Sequence, residues 1–185
     1  PTIVELAGLP ASERMTGKSL TKILQSDQSG TIEAGRDRTH LALEAHHTDG
    51  PYQAWLGYMS CRAIRTHEYL YIRNYMPHLG YNQPTAWPDN GEIRHDFYRL
   101  TNEQKMTAAQ WHFAGPTRPV EELYDCLTDS QNLENLAGSE KHKKILSRLR
   151  KAHRKHINQT TDLGFLPESE AWEMFSEKTG WDLGQ

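Results

Sequence analysis

The stretch Arg118-Pro119-Val120-Glu121-Glu122-Leu123-Tyr124-Asp125-Cys126 decides the fold, because Glu121–Cys126 reads as a β-strand. Successive side chains of a strand point to opposite faces, so the adjacent carboxylates Glu121 and Glu122 part company and form a poor acid–base dyad. Leu123 and Tyr124 are expected to fill the core and the sheet edge, with Glu121 and Glu122 paired to Arg118 or to neighbouring arginines. Upstream, Leu41, Leu43 and Ala45 alternate with Ala42 and Glu44, the pattern of a strand with one apolar face. Cys61–Thr66 and Tyr69–Tyr75 are two further strand-like runs, and the His67-Glu68 gap between them predicts a tight hairpin. Tyr69, Tyr71, Arg73 and Tyr75 share one face of the second run and Leu70 and Ile72 the other; the aliphatic face is expected to meet the core. Downstream, Ile145, Leu149, Ala152 and His156 recur at helical spacing, predicting one long helix over Ser139–Thr160 that lies across the sheet. Ser139 reads as its N-cap and Glu140 sits in its first turn, where the helix dipole favours an anion. Ile145, Leu146, Leu149 and Ile157 are expected to be buried, and Lys141, Lys144, Arg148 and Lys155 exposed. The fold class is therefore α+β, a small antiparallel sheet of about four strands packed by a long C-terminal α-helix.

The remaining segments connect these elements. Pro1–Pro10 reads as a short helix opened by proline and stopped by Gly8 and Pro10. Gln25–Gly35 has linker chemistry. Pro77–Gly91 is too rich in proline and glycine for regular structure and is expected to be a long loop. Asp96–Phe113 has helical character ended by Gly115-Pro116, and Pro167–Lys178 reads as a last short helix striped by Ala171, Met174 and Phe175.

With 185 residues, 36% hydrophobic and 24% charged, the chain has room for one domain and a moderate core. A net charge of −3 argues against nucleic acid as the main partner, and the basic stretch Lys141–Lys155 reads as a solvated helix face. No apolar run approaches a membrane span. The chain opens on Pro1 without an initiator Met, as expected of an excised or processed fragment, so the lack of a signal peptide says nothing about where the parent protein resides. Cys61 and Cys126 have a spacing that leaves pairing open; their apolar surroundings favour free, buried thiols. Ten histidines invite a metal reading, but they lack the clustering of a zinc site, and His153 and His156 lie on or beside the apolar stripe of the long helix.

Arg118-Pro119-Val120-Glu121-Glu122-Leu123-Tyr124-Asp125, then Asp129 and Asn135-Leu136-Ala137, resembles the C-terminal signature of the formylglycine-dependent (type I) sulfatases. Ser130 and Asn132 depart from it, standing where that signature has Pro and Glu. Arg62-Ala63-Ile64-Arg65-Thr66 and Tyr69-Leu70-Tyr71-Ile72-Arg73-Asn74 resemble a hairpin of the same family, and Thr161-Asp162-Leu163-Gly164 with Pro167-Glu168 resembles its ending. The resemblance implies that residues 1–24 are a remnant of the large N-terminal sulfatase domain, 25–38 a linker, 39–168 the C-terminal subdomain and 169–185 a helical tail. The nucleophile motif of the family, Cys-x-Pro-x-Arg or Ser-x-Pro-x-Arg, is absent from these residues, so the chain alone is expected to carry no catalytic residue, no metal site and no activity. The implied formylglycine and calcium belong to the N-terminal domain, as does the chemistry: hydrolysis of sulfate esters or sulfamates, in a periplasmic or secreted enzyme.

The resemblance names that domain as the chain's partner, with a sulfated sugar as substrate. The apolar residues Ile3, Val4, Leu6 and Leu9 are expected to be disordered, exposed, or covered by a second copy of the chain. His46 and His47 follow a strand and precede the Thr48-Asp49-Gly50-Pro51 turn, where a side chain can leave the sheet towards a substrate cleft; the alternative is a pair of exposed loop histidines. Tyr75, Tyr81, Asn82, Gln83, Trp87 and Asn90 suit a carbohydrate surface, and equally a loop packed on a neighbouring domain. Two other readings stand beside the sulfatase one: a carbohydrate-binding or purely structural interaction module, and a phosphodiesterase or phosphatase relative, since fold alone does not fix chemistry.

Overall fold

The computed structural model describes residues 1–15, 17–44, 60–83, 88–160 and 162–166, together with Met174. It divides into two compact units, Pro1–Thr39 and His40–Gln185. The first unit contains the short helices α1 (Thr2–Leu6) and α2 (Thr21–Leu24). Thr2 Oγ1 accepts from the backbone of Leu20 at 2.9 Å, and Arg36 is held by Glu33 and by the Ser19 carbonyl. Its apolar side chains are open: Ile3 is 83% exposed and Leu6, Leu9 and Leu24 are 62–67% exposed.

An antiparallel sheet in the order β1-β2-β3-β4 is formed by Arg38–Glu44, Ser60–Thr66, Tyr69–Asn74 and Glu121–Asp125, all in the second unit from His40 onward. The predicted two-residue hairpin at His67-Glu68 is present even though neither residue is a favoured turn former. Thr66 replaces the missing turn chemistry: its Oγ1 donates to the Tyr69 carbonyl and accepts from the Tyr69 amide, at 3.1 and 2.9 Å.

The register places Ile64 opposite Tyr71 and Tyr71 opposite Leu123, a row that runs straight across three strands. Helix α5 (Lys143–Gln159) lies on this row, and Ile64, Tyr71, Leu123, Leu146 and Leu149 form the core, each at most 4% exposed. The tyrosine face of β3, not the aliphatic one, therefore meets the core, and Leu70 and Ile72 are only half-buried on the other side. A tyrosine ring removes a large apolar area from water while its hydroxyl needs one partner at the rim. Tyr71 meets both needs, its ring under Leu123 and its hydroxyl donating to Glu121 at 2.7 Å.

Helix α5 is shorter than predicted. Glu140–His142 forms a 3-10 turn in which His142 Nδ1 meets Ser139 Oγ at 2.9 Å, so the Ser139 side chain holds another side chain and caps no backbone amide. Leu146 and Leu149 are buried as expected, Ile145 and Ile157 half-buried, and Lys141, Lys144, Arg148 and Lys155 exposed. The helical character of 96–113 resolves into α3 (Glu92–Asn102) and α4 (Ala108–Ala114). Gln104, at φ 55°, breaks the first, and Thr107 starts the second through a capping box with Gln110. Neither cysteine forms a disulfide; Cys61 is buried, whereas Cys126, expected to be buried, is only half-covered because it lies just beyond the end of β4. The helix predicted at 167–178 lies outside the described residues except for Met174.

Among the described residues no helix is long and apolar enough to cross a membrane.

Candidate functional site

The strand Glu121–Asp125 distributes chemistry to both faces of the sheet. On the helix side, Glu121 accepts from Tyr71 and from the guanidinium of Arg150, whose Nε lies 2.9–3.0 Å from both carboxylate oxygens, with Arg73 at 3.5 Å. Burial alone would raise the Glu121 pKa; the Arg150 and Tyr71 hydrogen bonds outweigh it and hold the carboxylate below its usual range.

Glu122, 1% exposed, faces the other way. Its carboxylate accepts from Asn74 Nδ2 at 2.5 Å and from the hydroxyls of Tyr81 and Tyr124. Burial first, and then the Glu122 carboxylate, push both tyrosine pKa values well above the ordinary phenol range. His112 of α4 reaches Tyr124 at 3.3 Å, and the Arg118 guanidinium lies 5.3 Å over the Tyr81 ring. The expected Arg118 pairing with Glu121 or Glu122 is therefore replaced by hydroxyl and amide donors at Glu122 and by Arg150 at Glu121.

Arg118 instead anchors the loop that covers this face. Its amide donates to the Pro77 carbonyl at 2.9 Å and its Nη2 to Met76 at 3.3 Å. Gly80 is required beside it, since a Cβ there would sit 1.9 Å from the Gly115 carbonyl oxygen. Of the loop residues suited to a sugar surface, Tyr81 is committed to Glu122 and Gln83 donates to the Gly80 carbonyl at 2.9 Å. Trp87 lies outside the described residues.

The rest of the signature closes the edge of β4. Asn135 Oδ1 accepts from the Leu123 amide and its Nδ2 donates to the Glu121 carbonyl, at 3.0 and 3.1 Å, as a fifth strand would. An exposed edge presents unpaired backbone groups to other chains, and one asparagine satisfies two of them here. Asp125 and Asp129 accept turn amides of Leu127 and Glu134. Asn132, one of the two departures from the signature, adopts φ 55°, a left-handed conformation that Asn tolerates better than Glu.

A second polar cluster lies on the helix face beyond the core. Arg62, 4% exposed, forms a bidentate pair with Asp162 at 2.6 and 2.8 Å, under the Phe165 ring. It joins the hairpin to the family-like ending 100 residues away in sequence. Tyr75 shares a 2.8 Å hydrogen bond with His153 Nε2, and His40 stacks on His156 at 3.7 Å. Burial, then the nearby His40, Arg73, His156 and Arg62, depress the His153 pKa from 6.5 to about 4.

This shift predicts an acid-sensitive fold. Between pH 6.5 and about 4 the unfolded chain takes up a proton that the folded His153 refuses, so the stability due to His153 is complete above pH 6.5 and falls as pH drops through that window. The total is about 3 kcal/mol. His153→Gln keeps a partner for Tyr75 and cannot titrate, so its unfolding free energy should fall less steeply between pH 7 and 4 than that of the wild type. Equal slopes would show that His153 takes up its proton in the folded state over the same pH range as in the unfolded chain.

His46 and His47 lie outside the described residues. Sequence reasoning did not find the Glu122 cluster or the Arg62–Asp162 pair. The period-2 pattern placed Glu122 and Tyr124 on one face, but Tyr81, Asn74 and Asp162 come from segments whose convergence no local pattern encodes. Among the described residues no three His, Cys, Asp or Glu side chains stand together as metal ligands. The polar side chains that are brought together bond one another in buried positions, with Asn74 Oδ1 and Arg118 Nε and Nη1 left without a hydrogen-bond partner among the described residues.

No family model matches the chain. Along 170 residues, 92% of its length, it is 28% identical to a protein of Formosa agariphila named "Ulvan-active sulfatase". The fold resembles that of a solved 2-O GAG sulfatase, at 18% identity over 88% of the chain with a TM-score of 0.52. It also resembles a structure solved in complex with D-glucosamine-2-N,6-O-disulfate, at 14% identity over 90% of the chain with a TM-score of 0.54. The chain spans about a quarter of the length of these relatives, 26% of the first and 24–25% of the solved structures. The resemblance first seen in residues 118–137 thus extends along nearly all of the chain, which is similar in sequence to a sulfatase and has the α+β fold of sulfatase C-terminal subdomains.

Proposed function

We propose that this chain is the C-terminal subdomain of a sulfatase that hydrolyses sulfate esters, or sulfamates, of sulfated carbohydrates outside the cytoplasm. The observation that carries the reading is the 28% identity to an ulvan-active sulfatase along 92% of the chain. The name of the solved 2-O GAG sulfatase, and the disulfated glucosamine described as substrate in the other solved relative, support a sulfated sugar as the substrate class.

In this reading the catalytic half supplies a formylglycine nucleophile and a calcium ion, and neither belongs to the residues described here. The described residues do not fit a metal, since no three candidate ligands converge. The chain's contribution in this reading is shape: one wall beside the sugar, braced by the Glu122 and Arg62–Asp162 networks. His46 or His47 donates there to a sulfate oxygen or a sugar hydroxyl, and a protonated ring adds charge attraction.

The test is sulfate release from a panel of sulfated oligosaccharides and an aryl sulfate by the longer protein that carries this chain. Release from the sugars is expected, with none from the 185-residue polypeptide alone. His46→Ala or His47→Ala should raise KM more than it lowers kcat, the signature of lost positioning. Wild-type constants in both variants would make them ordinary loop histidines. Turnover of phosphate diesters in place of sulfate esters would overturn the sulfatase reading.

A further inference from the structure

We propose that the outer face of α5 is a docking strip for a polyanionic polysaccharide, in the first instance a sulfated one. The 17 residues of α5 include Lys143, Lys144, Arg148, Arg150, Lys151, Arg154 and Lys155 and not one Asp or Glu. The rest of the chain holds 14 Lys and Arg against 24 Asp and Glu, a net charge of −10, so this helix is opposite in sign to its protein.

Helix stability does not account for these charges. A solvated helix face ordinarily mixes signs, because opposite charges at i,i+4 stabilise it and like charges there oppose it. Here Lys144–Arg148, Arg150–Arg154 and Lys151–Lys155 are all like-charge i,i+4 pairs. The helix dipole favours cations in the last turn, whereas Lys143 and Lys144 open the helix at its positive end. Glu140 pairs with Lys143 and Glu121 with Arg150; Lys144, Arg148, Lys151, Arg154 and Lys155 project from the helix without an ion pair among the described residues. Such a concentration of uncompensated charge is explained by an anion that arrives from outside.

The geometry fits a chain better than a single ion. An open groove of about 570 Å³ runs along this face, lined by Ser147, Arg150, Lys151, Arg154, Lys155 and Asn158. At 1.5 Å per residue, Lys144 to Lys155 span about 16 Å, a ladder of charges rather than one pocket. Ser147 and Asn158 add hydroxyl and amide groups suited to sugar hydroxyls. No aromatic side chain lines the strip for base stacking, which disfavours single-stranded nucleic acid. The choice of a sulfated glycan rests on the proposed sulfatase function; the cationic strip itself does not.

Affinity electrophoresis in gels containing dextran sulfate, unsulfated dextran or duplex DNA tests the proposal without requiring hydrolysis, so it can succeed or fail independently of the sulfatase reading. Dextran sulfate should retard the wild-type chain, increasingly so at low salt, and dextran should not. Lys151→Ala/Arg154→Ala/Lys155→Ala should weaken binding at least tenfold with no change in thermal midpoint, since all three side chains are exposed. Lys18→Ala/Lys22→Ala/Lys105→Ala, an equal loss of charge elsewhere, should bind like the wild type. Equal binding by the strip variant, or equal weakening in both variants, overturns the proposal, as does DNA retarding the chain as strongly as dextran sulfate. Binding that emerges only after Glu168, Glu170, Glu173 and Glu177 are changed to Gln would assign the strip to the chain's own acidic tail, and also overturns it.

Discussion

Replacing Glu122 by Ala should destabilise the second unit by roughly 3–5 kcal/mol, one of the two largest losses expected of a single change here. The carboxylate is 1% exposed and accepts from Asn74, Tyr81 and Tyr124, each brought by a different part of the chain. Removing it leaves the Tyr81 and Tyr124 hydroxyls without that acceptor, while Asn74 Nδ2 keeps the Pro119 carbonyl at 2.7 Å, and each orphaned donor costs about 1–3 kcal/mol. The sum is not additive, because the tyrosine hydroxyls can rotate towards one another and Tyr124 has His112 within 3.3 Å. Glu122→Gln keeps the volume and one acceptor oxygen, so its loss should be smaller. Denaturant unfolding of both variants checks the ordering. An unchanged midpoint for Glu122→Ala would mean that water reaches this face and the network does not hold the loop around Tyr81.

The strands and the long helix were legible because each depends on a local period. Alternation gave β2, β3 and β4, and helical spacing gave Leu146 and Leu149 as core residues. The misassigned face of β3 shows where that signal stops. Period 2 separates Tyr69, Tyr71, Arg73 and Tyr75 from Leu70 and Ile72 but does not say which set is inside. Hydropathy favoured the aliphatic pair, whereas the register that places Tyr71 between Ile64 and Leu123 decided for the ring. The roles of the signature residues were equally hidden. Glu121 and Glu122 read as candidates for ion pairing, yet Glu122 serves as a shared acceptor, and Asn135, given no role by the sequence, serves as a surrogate strand edge. Those roles arise from segments far apart in sequence, as in the pairing of Arg62 with Asp162 across 100 residues. The proposed site residues His46 and His47 fall outside the described residues, so their place rests on the sequence alone.

Replacing Leu149 by Ala should cost about 2–5 kcal/mol, the range for truncating a buried leucine where the surroundings close only partly over the cavity. Leu149 is 1% exposed and belongs to the cluster that joins helix to sheet, with Leu146, Ile64, Tyr71 and Leu123. Collapse around the gap is restricted on both sides. The three sheet residues are fixed in one register row, and α5 is tied to β4 through Arg150 and Glu121 and, through His153, to Tyr75 just past the end of β3. The loss should therefore lie in the upper part of that range. Leu149→Met, which keeps most of the volume on a flexible chain, should cost less than about 1.5 kcal/mol. If Leu149→Ala leaves the unfolding midpoint unchanged, the α5 face carrying Leu149 is in solvent and the helix does not pack on the sheet as described. If both variants lose equally, shape rather than volume controls the contact, and the row Ile64–Tyr71–Leu123 is packed too tightly against α5 to accept any other side chain.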